Sequence, residues 1–221
     1  MEDKTFSEPN QVGPTETKPQ TTTPLSRLIN LDATWSLHLH TICAPIIPRN
    51  LLKSLEISGD GRFWFPIPIA VLLSPLSTRS PHVRWIVLGL LIGSLLDLLL
   101  VGLVKYAVKR PRPVYNKGMH LTVSVDHWSF PSGHSSRVCF VASFLCGSLD
   151  SINAALVELR GPGCGKIAKA FVWIVCLWSV VTSFSRVLLG RHFVLDVLAG
   201  ACLGVVEAWL VFWFLEFGVL D

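Results

Sequence analysis

Only 15% of the 221 residues are charged, whereas 51% are hydrophobic and the mean hydropathy is +0.52. So little charge cannot cover the surface of a water-soluble domain of this length, and the chain reads as a membrane protein. A basic excess is missing as well. The net charge is +4, with no basic tail or stripe, which argues against nucleic acid as a partner and for a small anionic ligand. Six cysteines are present without a CxxC or Cys/His ligand spacing; Cys139, Cys146, Cys176 and Cys202 lie in apolar runs and read as small buried hydrophobes. No internal repeat is found. The N-terminus lacks the basic and apolar regions of a secretory signal, and Glu2, Asp3 and Glu8 oppose a transit peptide, so nothing here reads as cleaved for export.

Residues 1–26 are polar and rich in Thr, Pro and Gln, which predicts a disordered tail ahead of one membrane domain at 27–221. Residues 28–57 are apolar but interrupted by Pro45, Pro48, Arg49 and Lys53, and read as interfacial or broken helix. Five later segments, 63–76, 83–104, 134–149, 168–186 and 193–217, are predicted spans, the first weakened by Pro66, Pro68 and Pro75. The expected fold is all-α, a multi-pass membrane helical bundle of five to six spans. Trp64 and Trp128 fall toward one interface and Trp85, Trp173, Trp209 and Trp213 toward the other, with Trp178 packed mid-span. Basic residues outside the candidate site are balanced between the two faces, so the positive-inside rule gives no orientation.

Three polar clusters sit at the ends of these segments: Lys105 with Arg112-Pro113, then Pro131-Ser132-Gly133-His134, then Ser185-Arg186 followed by His192 and Asp196. Alternating crossings bring all three to one face. A phosphate ester carries up to two negative charges, and its hydrolysis needs mainly positioning and fixed positive charge. Lys105, Arg112 and Arg186 supply that charge, and Arg112 and Arg186 offer planar forks. Pro131-Ser132-Gly133 reads as a helix start whose free N–H groups bind an anion, with the Ser132 hydroxyl added and close approach allowed at Gly133. His192 and Asp196 are four apart at a helix start, so the carboxylate is placed to hold one ring N–H and leave the other nitrogen as nucleophile. His134 is placed to protonate the departing oxygen and then activate water. A metal held by His192 and Asp196 is the competing reading, but two ligands are too few and three nearby cations repel a divalent ion.

In residue and spacing these clusters resemble the three-part signature of the type 2 phosphatidic acid phosphatase superfamily. The flanking runs Gly59-Asp60-Gly61-Arg62-Phe63-Trp64-Phe65-Pro66 and Gly190-Arg191-His192-Phe193-Val194-Leu195-Asp196 are similar to the branch holding presqualene and polyisoprenoid diphosphate phosphatases and plant lipid phosphate phosphatase beta. The resemblance implies a six-helix core and hydrolysis with no metal or other cofactor. It also implies His192 as phosphohistidine nucleophile, His134 as acid, and Lys105, Arg112, Ser132, Gly133 and Arg186 around the phosphate. It implies a multi-pass protein of the endoplasmic reticulum membrane with a lumenal site and a cytosolic tail, which tips 28–57 toward a crossing. The expected partners are the bilayer and an amphiphilic lipid phosphate or diphosphate. A phosphotransferase using the same intermediate and a catalytically silent scaffold are the alternatives, and intact His134, His192 and Asp196 speak against the scaffold.

Other polar residues read as structural. Asp97 and Glu207, within spans, are assigned to interior hydrogen bonding. His38 and His40, two apart, do not share a helix face and make no metal pair. His120 and His127 lie in the loop over the site.

Overall fold

The computed structural model describes residues 23–115 and 127–218, which form ten helices and no strand among the described residues. Helix α1 spans Pro24–Cys43, α2 Arg49–Ser58, α3 Gly61–Trp64, α4 Pro66–Leu73, α5 Pro75–Arg79, α6 Pro81–Val108, α7 Gly133–Gly147, α8 Leu149–Arg160, α9 Gly165–Leu188 and α10 Val194–Gly218. Three of them, α6, α9 and α10, are long and apolar enough to cross a bilayer, and α7 with α8, bent by 68°, are so only when taken together as one broken span. Their outward faces carry Leu95, Leu98, Leu99, Leu103, Ile174, Leu177 and Leu198, all exposed, as lipid contact requires.

The expected span at 63–76 is broken into α3, α4 and α5, because Pro66 and Pro75 each open a new helix. It still carries the chain from one end of the bundle to the other. At its start Gly59 lies against His134, Val138 and Thr182, and at its end the Ser80 hydroxyl donates to Glu158 on α8. The described residues thus hold three to four candidate spans beside this broken segment, roughly consistent with the expected five to six.

The crossing expected for 28–57 is corrected by its contacts. Asp32 and Ser36 reach the first residues of α10, His40 reaches the last turn of α9, and Cys43 and Ile47 pack with Leu52, Leu188 and Leu189. All of these lie at the end of the bundle where the three clusters meet, so residues 32–57 run along that end. Thr23 caps α1 by accepting the Ser26 N–H at 3.3 Å, so residues 24–26, read as tail, are helical. Residues 1–22, the rest of that tail, lie outside the described residues.

Two smaller expectations also change. Trp85 is not an interfacial anchor but stacks on Phe144 at 5.6 Å, whereas Trp173, Trp209 and Trp213 do face outward. Cys146 and Cys202 are exposed on the lipid-facing surface rather than buried. Trp178 packs mid-span as expected, tilted on Trp64 at 5.5 Å, and its indole N–H donates to Ser58 Oγ at 2.9 Å.

The core sits around α7, where Phe140, Val141 and Phe144 are completely buried. Small residues let the neighbouring helices come this close. A Cβ on Gly93 of α6 would collide with the Phe140 ring, and Cβ atoms on Gly200 and Gly204 of α10 would collide with the carbonyls of Ser132 and Ser136. This contact fixes the helix start bearing Ser132 against the helix bearing Asp196. Replacing Gly204 by valine is expected to cost about 1–3 kcal/mol through overpacking and to lower the thermal midpoint of the detergent-solubilised protein. Gly102→Ala, whose Cβ meets nothing within 4 Å, is the control and should leave the midpoint unchanged or slightly raised. Equal midpoints for both variants would refute the close α7–α10 approach.

Candidate active site

The end of α6 starts the site. Lys105 is buried in its last turn, and the helix stops where Lys109 takes a left-handed backbone, φ 51°. The strand-like stretch that follows pairs with the segment before α7: Ser129 N–H donates to the Arg110 carbonyl at 2.8 Å and Ser129 Oγ to the Pro111 carbonyl at 3.0 Å. The first and second clusters are thereby joined. Ser132 then caps α7, its hydroxyl accepting the Ser135 N–H at 3.4 Å, while its own N–H donates to the Asp196 carbonyl at 2.9 Å. Gly133 has a packing reason for its missing side chain, since a Cβ there would sit 3.2 Å from Val101.

The third cluster is a tight turn between α9 and α10. Gly190, at φ 70°, permits it, and the Arg186 carbonyl accepts the N–H groups of Arg191 at 2.9 Å and His192 at 3.3 Å. Two residues of one helix end are thus folded back over Arg186. The Ser185 hydroxyl is absorbed into the helix, donating to the Thr182 carbonyl at 2.6 Å.

His192 is 2% exposed. Its Nδ1 lies 2.7 Å from the Ser129 carbonyl and 3.9 Å from Asp196 Oδ2. The expected orienting bond from Asp196 is therefore made by a backbone carbonyl instead. Asp196 is committed elsewhere, Oδ2 accepting the Phe193 N–H at 2.9 Å and Oδ1 an Arg110 N–H at 2.7 Å. A carbonyl can only accept, so Nδ1 carries the hydrogen and Nε2 of the neutral ring holds a lone pair. That Nε2 lies 3.3 Å from Arg112 Nη1, whose N–H also donates to the Arg191 carbonyl at 2.9 Å. Burial, and then the charges of Arg112, Arg186 and Lys105, hold the His192 imidazole well below its usual pKa. All three cations of the sequence reading therefore lie close enough to act on this one ring.

Arg186 is completely buried and pairs with Glu56 Oε1 at 2.8 Å. None of its three guanidinium nitrogens has a well-aligned hydrogen-bond acceptor among the described residues, so the pair is close but angled. His134 Nε2 is likewise buried without a hydrogen-bond partner among the described residues. An anion with several acceptor oxygens is what such groups lack.

The PAP2 superfamily profile matches residues 85–218, more than half of the chain. The chain belongs to the PAP2 superfamily. It is 41% identical over 210 residues to the Arabidopsis thaliana probable lipid phosphate phosphatase beta, covering 90% of this chain and 96% of that one. It is 34% identical over 163 residues to phosphatidylglycerophosphatase B of Bacillus subtilis strain 168, covering 74% of this chain and 73% of that protein. The crystal structure of the transmembrane PAP2 type phosphatidylglycerolphosphate phosphatase from Bacillus subtilis superposes with a TM-score of 0.67 at 26% identity, covering 86% of this chain and 87% of that one.

All eight sequence-predicted site residues thus lie in or beside one site, although the ring N–H of His192 goes to the Ser129 carbonyl and not to Asp196. Glu56, Arg110, Arg191, Asp32 and Ser129 were missed. Arg191 and Arg110 stand within two residues of His192 and Arg112, a usable signal; Glu56 and Asp32 come from a segment whose path was open. Below the PAP2 site, Asp97 pairs with Arg137 at 2.7 Å and Ser136 donates to Glu207 at 3.3 Å, the interior bonding expected for both acids. His127 is exposed, and His120 lies outside the described residues.

Glu56 holds two arginines side by side, reaching Arg191 Nε at 3.1 Å as well as Arg186. Burial would raise its carboxyl, but the two arginines outweigh that and keep it below the usual 4.5. A depressed folded-state pKa stabilises the fold above the unfolded value, and the benefit disappears as pH falls through the folded value. Glu56→Gln protein should therefore melt below wild type at pH 7, with the gap closing as pH drops beneath about 4.5. A gap that stays constant down to about pH 3, or widens, would contradict the pairing.

Proposed function

We propose that this protein is an integral-membrane phosphatase of lipid phosphates or isoprenoid diphosphates, working through a phosphohistidine on His192. The carrying observation is the Ser129 carbonyl on His192 Nδ1 at 2.7 Å, which leaves Nε2 as the lone-pair nitrogen beside Arg112. The two relatives named above, a probable lipid phosphate phosphatase and a phosphatidylglycerophosphatase, support this substrate class, as does an undecaprenyl-diphosphatase of Sulfolobus acidocaldarius that is 29% identical over 167 residues. A site at the end of spanning helices meets amphiphiles whose headgroups reach it while their tails stay in lipid. The membrane we assign is the endoplasmic reticulum, following the family resemblance.

In this reading Lys105, Arg112 and Arg186 bind the phosphate oxygens with the N-terminal amides of α7. His192 Nε2 attacks phosphorus, the ester P–O bond breaks, and His134 gives its proton to the leaving oxygen. The incoming phosphate supplies the negative charge that lets His134 carry that proton. Water then attacks the phosphohistidine, the P–N bond breaks, and His134 takes the water proton. Asp196 and Arg110 position the histidine loop and do not touch substrate.

Purified protein is expected to release phosphate from lipid phosphates in excess EDTA. His192→Ala should lower the rate by at least about 1,000-fold, whereas His134→Ala should slow turnover and accumulate a phosphoenzyme during brief labelling. That adduct should be acid-labile and base-stable. With a depressed His192 pKa, the acid limb of kcat/KM, corrected for substrate ionisation, should fall below the ordinary histidine value of about 6.5. An acid-stable adduct on Ser132, or activity lost to chelation and restored by a divalent ion, would overturn the assignment.

A further inference from the structure

Helix α1 turns its polar face, not its apolar one, toward the bundle. Its buried residues are Asp32 and Ser36, while Leu25, Leu28, Ile29, Leu31, Leu37 and Ile42 are exposed. Outward leucines suit lipid contact, as on α6 and α9, so what holds α1 to the bundle is the inward polar stripe, whose buried groups need partners. That stripe runs 32, 36, 40, one face of the helix at intervals of four. Asp32 Oδ1 accepts the Leu195 N–H at 3.0 Å and Ser36 Oγ accepts the Val194 N–H at 2.9 Å. His40 Nδ1 donates to the Leu188 carbonyl at 2.7 Å. These are the first-turn donors of α10 and a last-turn acceptor of α9, groups that their own helices leave unsatisfied. His192 lies between them.

The same aspartate reaches the site by a second route. Its Oδ2 takes one nitrogen of Arg110 at 2.7 Å, and the other terminal nitrogen takes Asp196 Oδ1 at 2.7 Å. The guanidinium rests over the Phe193 ring, 4.1 Å from its centroid. We infer that α1 is a positioning element for the catalytic loop: Asp32, Ser36 and His40 clamp the backbone on both sides of His192, and Arg110 shares its charge between Asp32 and Asp196. This rests on the reading of His192 as the nucleophile. The energetic logic is that a nucleophile displaced by about 1 Å loses about 100-fold in rate even when the substrate still binds.

The test uses full-length protein reconstituted in lipid. Asp32→Ala is expected to lower kcat by about 100-fold and Ser36→Ala by about 10-fold, each with KM within about 2-fold of wild type. Leu28→Ala, on the outward face of α1, should leave kcat unchanged. The pH profile separates positioning from mere folding. The charged and titratable groups facing His192 are Lys105 on α6, Arg112 after it, His134 on α7, Arg186 on α9 and Asp196 on α10, with Asp32 of α1 acting through Arg110. Arg110→Met leaves Asp196 unbalanced, which favours the imidazolium and moves the acid limb of kcat/KM to higher pH. Asp32→Asn keeps an acceptor for Leu195 but leaves Arg110 to Asp196 alone, which moves that limb to lower pH. Opposite shifts support the clamp; equal losses of active protein with an unmoved limb overturn it. Inactive His192→Ala beside wild-type kcat in Asp32→Ala and Ser36→Ala sinks the clamp alone, whereas active His192→Ala sinks the reading beneath it.

Discussion

Four guanidinium groups, on Arg110, Arg112, Arg186 and Arg191, are gathered at one end of an apolar bundle, and most of the local structure exists to make that gathering tolerable. Buried like charges repel strongly where water is scarce, so each needs a partner that does not also cancel its use. The partners are divided unequally. Arg110 is fully engaged by Asp32 and Asp196, and Arg191 lies against Glu56. Arg112 donates to the Arg191 carbonyl, which orients it toward His192. Arg186 shares Glu56 at a poor angle and keeps its hydrogen-bonding capacity. Arg110 and Arg191 are thus held by carboxylates, while Arg186 alone combines a close carboxylate with unfilled donors.

That arrangement needs helices that cannot slide. Gly200 and Gly204 bring α10 against the backbone of α7, and Ser132 N–H donates to the Asp196 carbonyl across the contact. One turn lower, Ser135 Oγ donates to the Val197 carbonyl at 2.9 Å, so the two helices are stitched twice by hydrogen bonds between their starts. In lipid, where no hydrophobic force holds helix to helix, close small-residue contact and such bonds are what define register. The Arg137–Asp97 pair ties α7 to α6 in the same layer. His134, on the first turn of α7, inherits its position from these contacts.

The convergence of the three clusters was legible because it follows from parity. Segments that alternate across a bilayer return every second helix end to the same face, whatever their tilt, so Lys105, Ser132 and His192 had to meet. Properties that depend only on residue type, such as a buried cation at Arg186 or a histidine with one lone-pair nitrogen, were legible too. What could not be read was orientation inside the meeting place. His192 and Asp196 stand four apart, which fixes a shared helix face only if both residues are helical, and α10 begins at Val194, after His192. The Ser129 carbonyl wins the ring N–H because backbone groups have no residue identity to reveal them. The path of 28–57 was hidden for a related reason: its composition suits the interface and the bilayer core alike, and only the polar stripe at 32, 36 and 40 distinguishes them.

The choice of a carbonyl over a carboxylate behind His192 has a chemical consequence. A carboxylate on Nδ1–H stabilises the imidazolium and raises basicity, at the risk of a protonated ring that cannot attack phosphorus. A carbonyl fixes the same tautomer with no net charge, and burial with the surrounding Arg112, Arg186 and Lys105 then favours the neutral ring that the proposed attack requires. In the proposed phosphohistidine the ring would become cationic, and Asp196 at 3.9 Å is near enough to favour that charge without having held it beforehand. The aspartate's effect is thereby weighted toward the intermediate and away from the resting state, the difference that accelerates a reaction instead of merely holding the enzyme together.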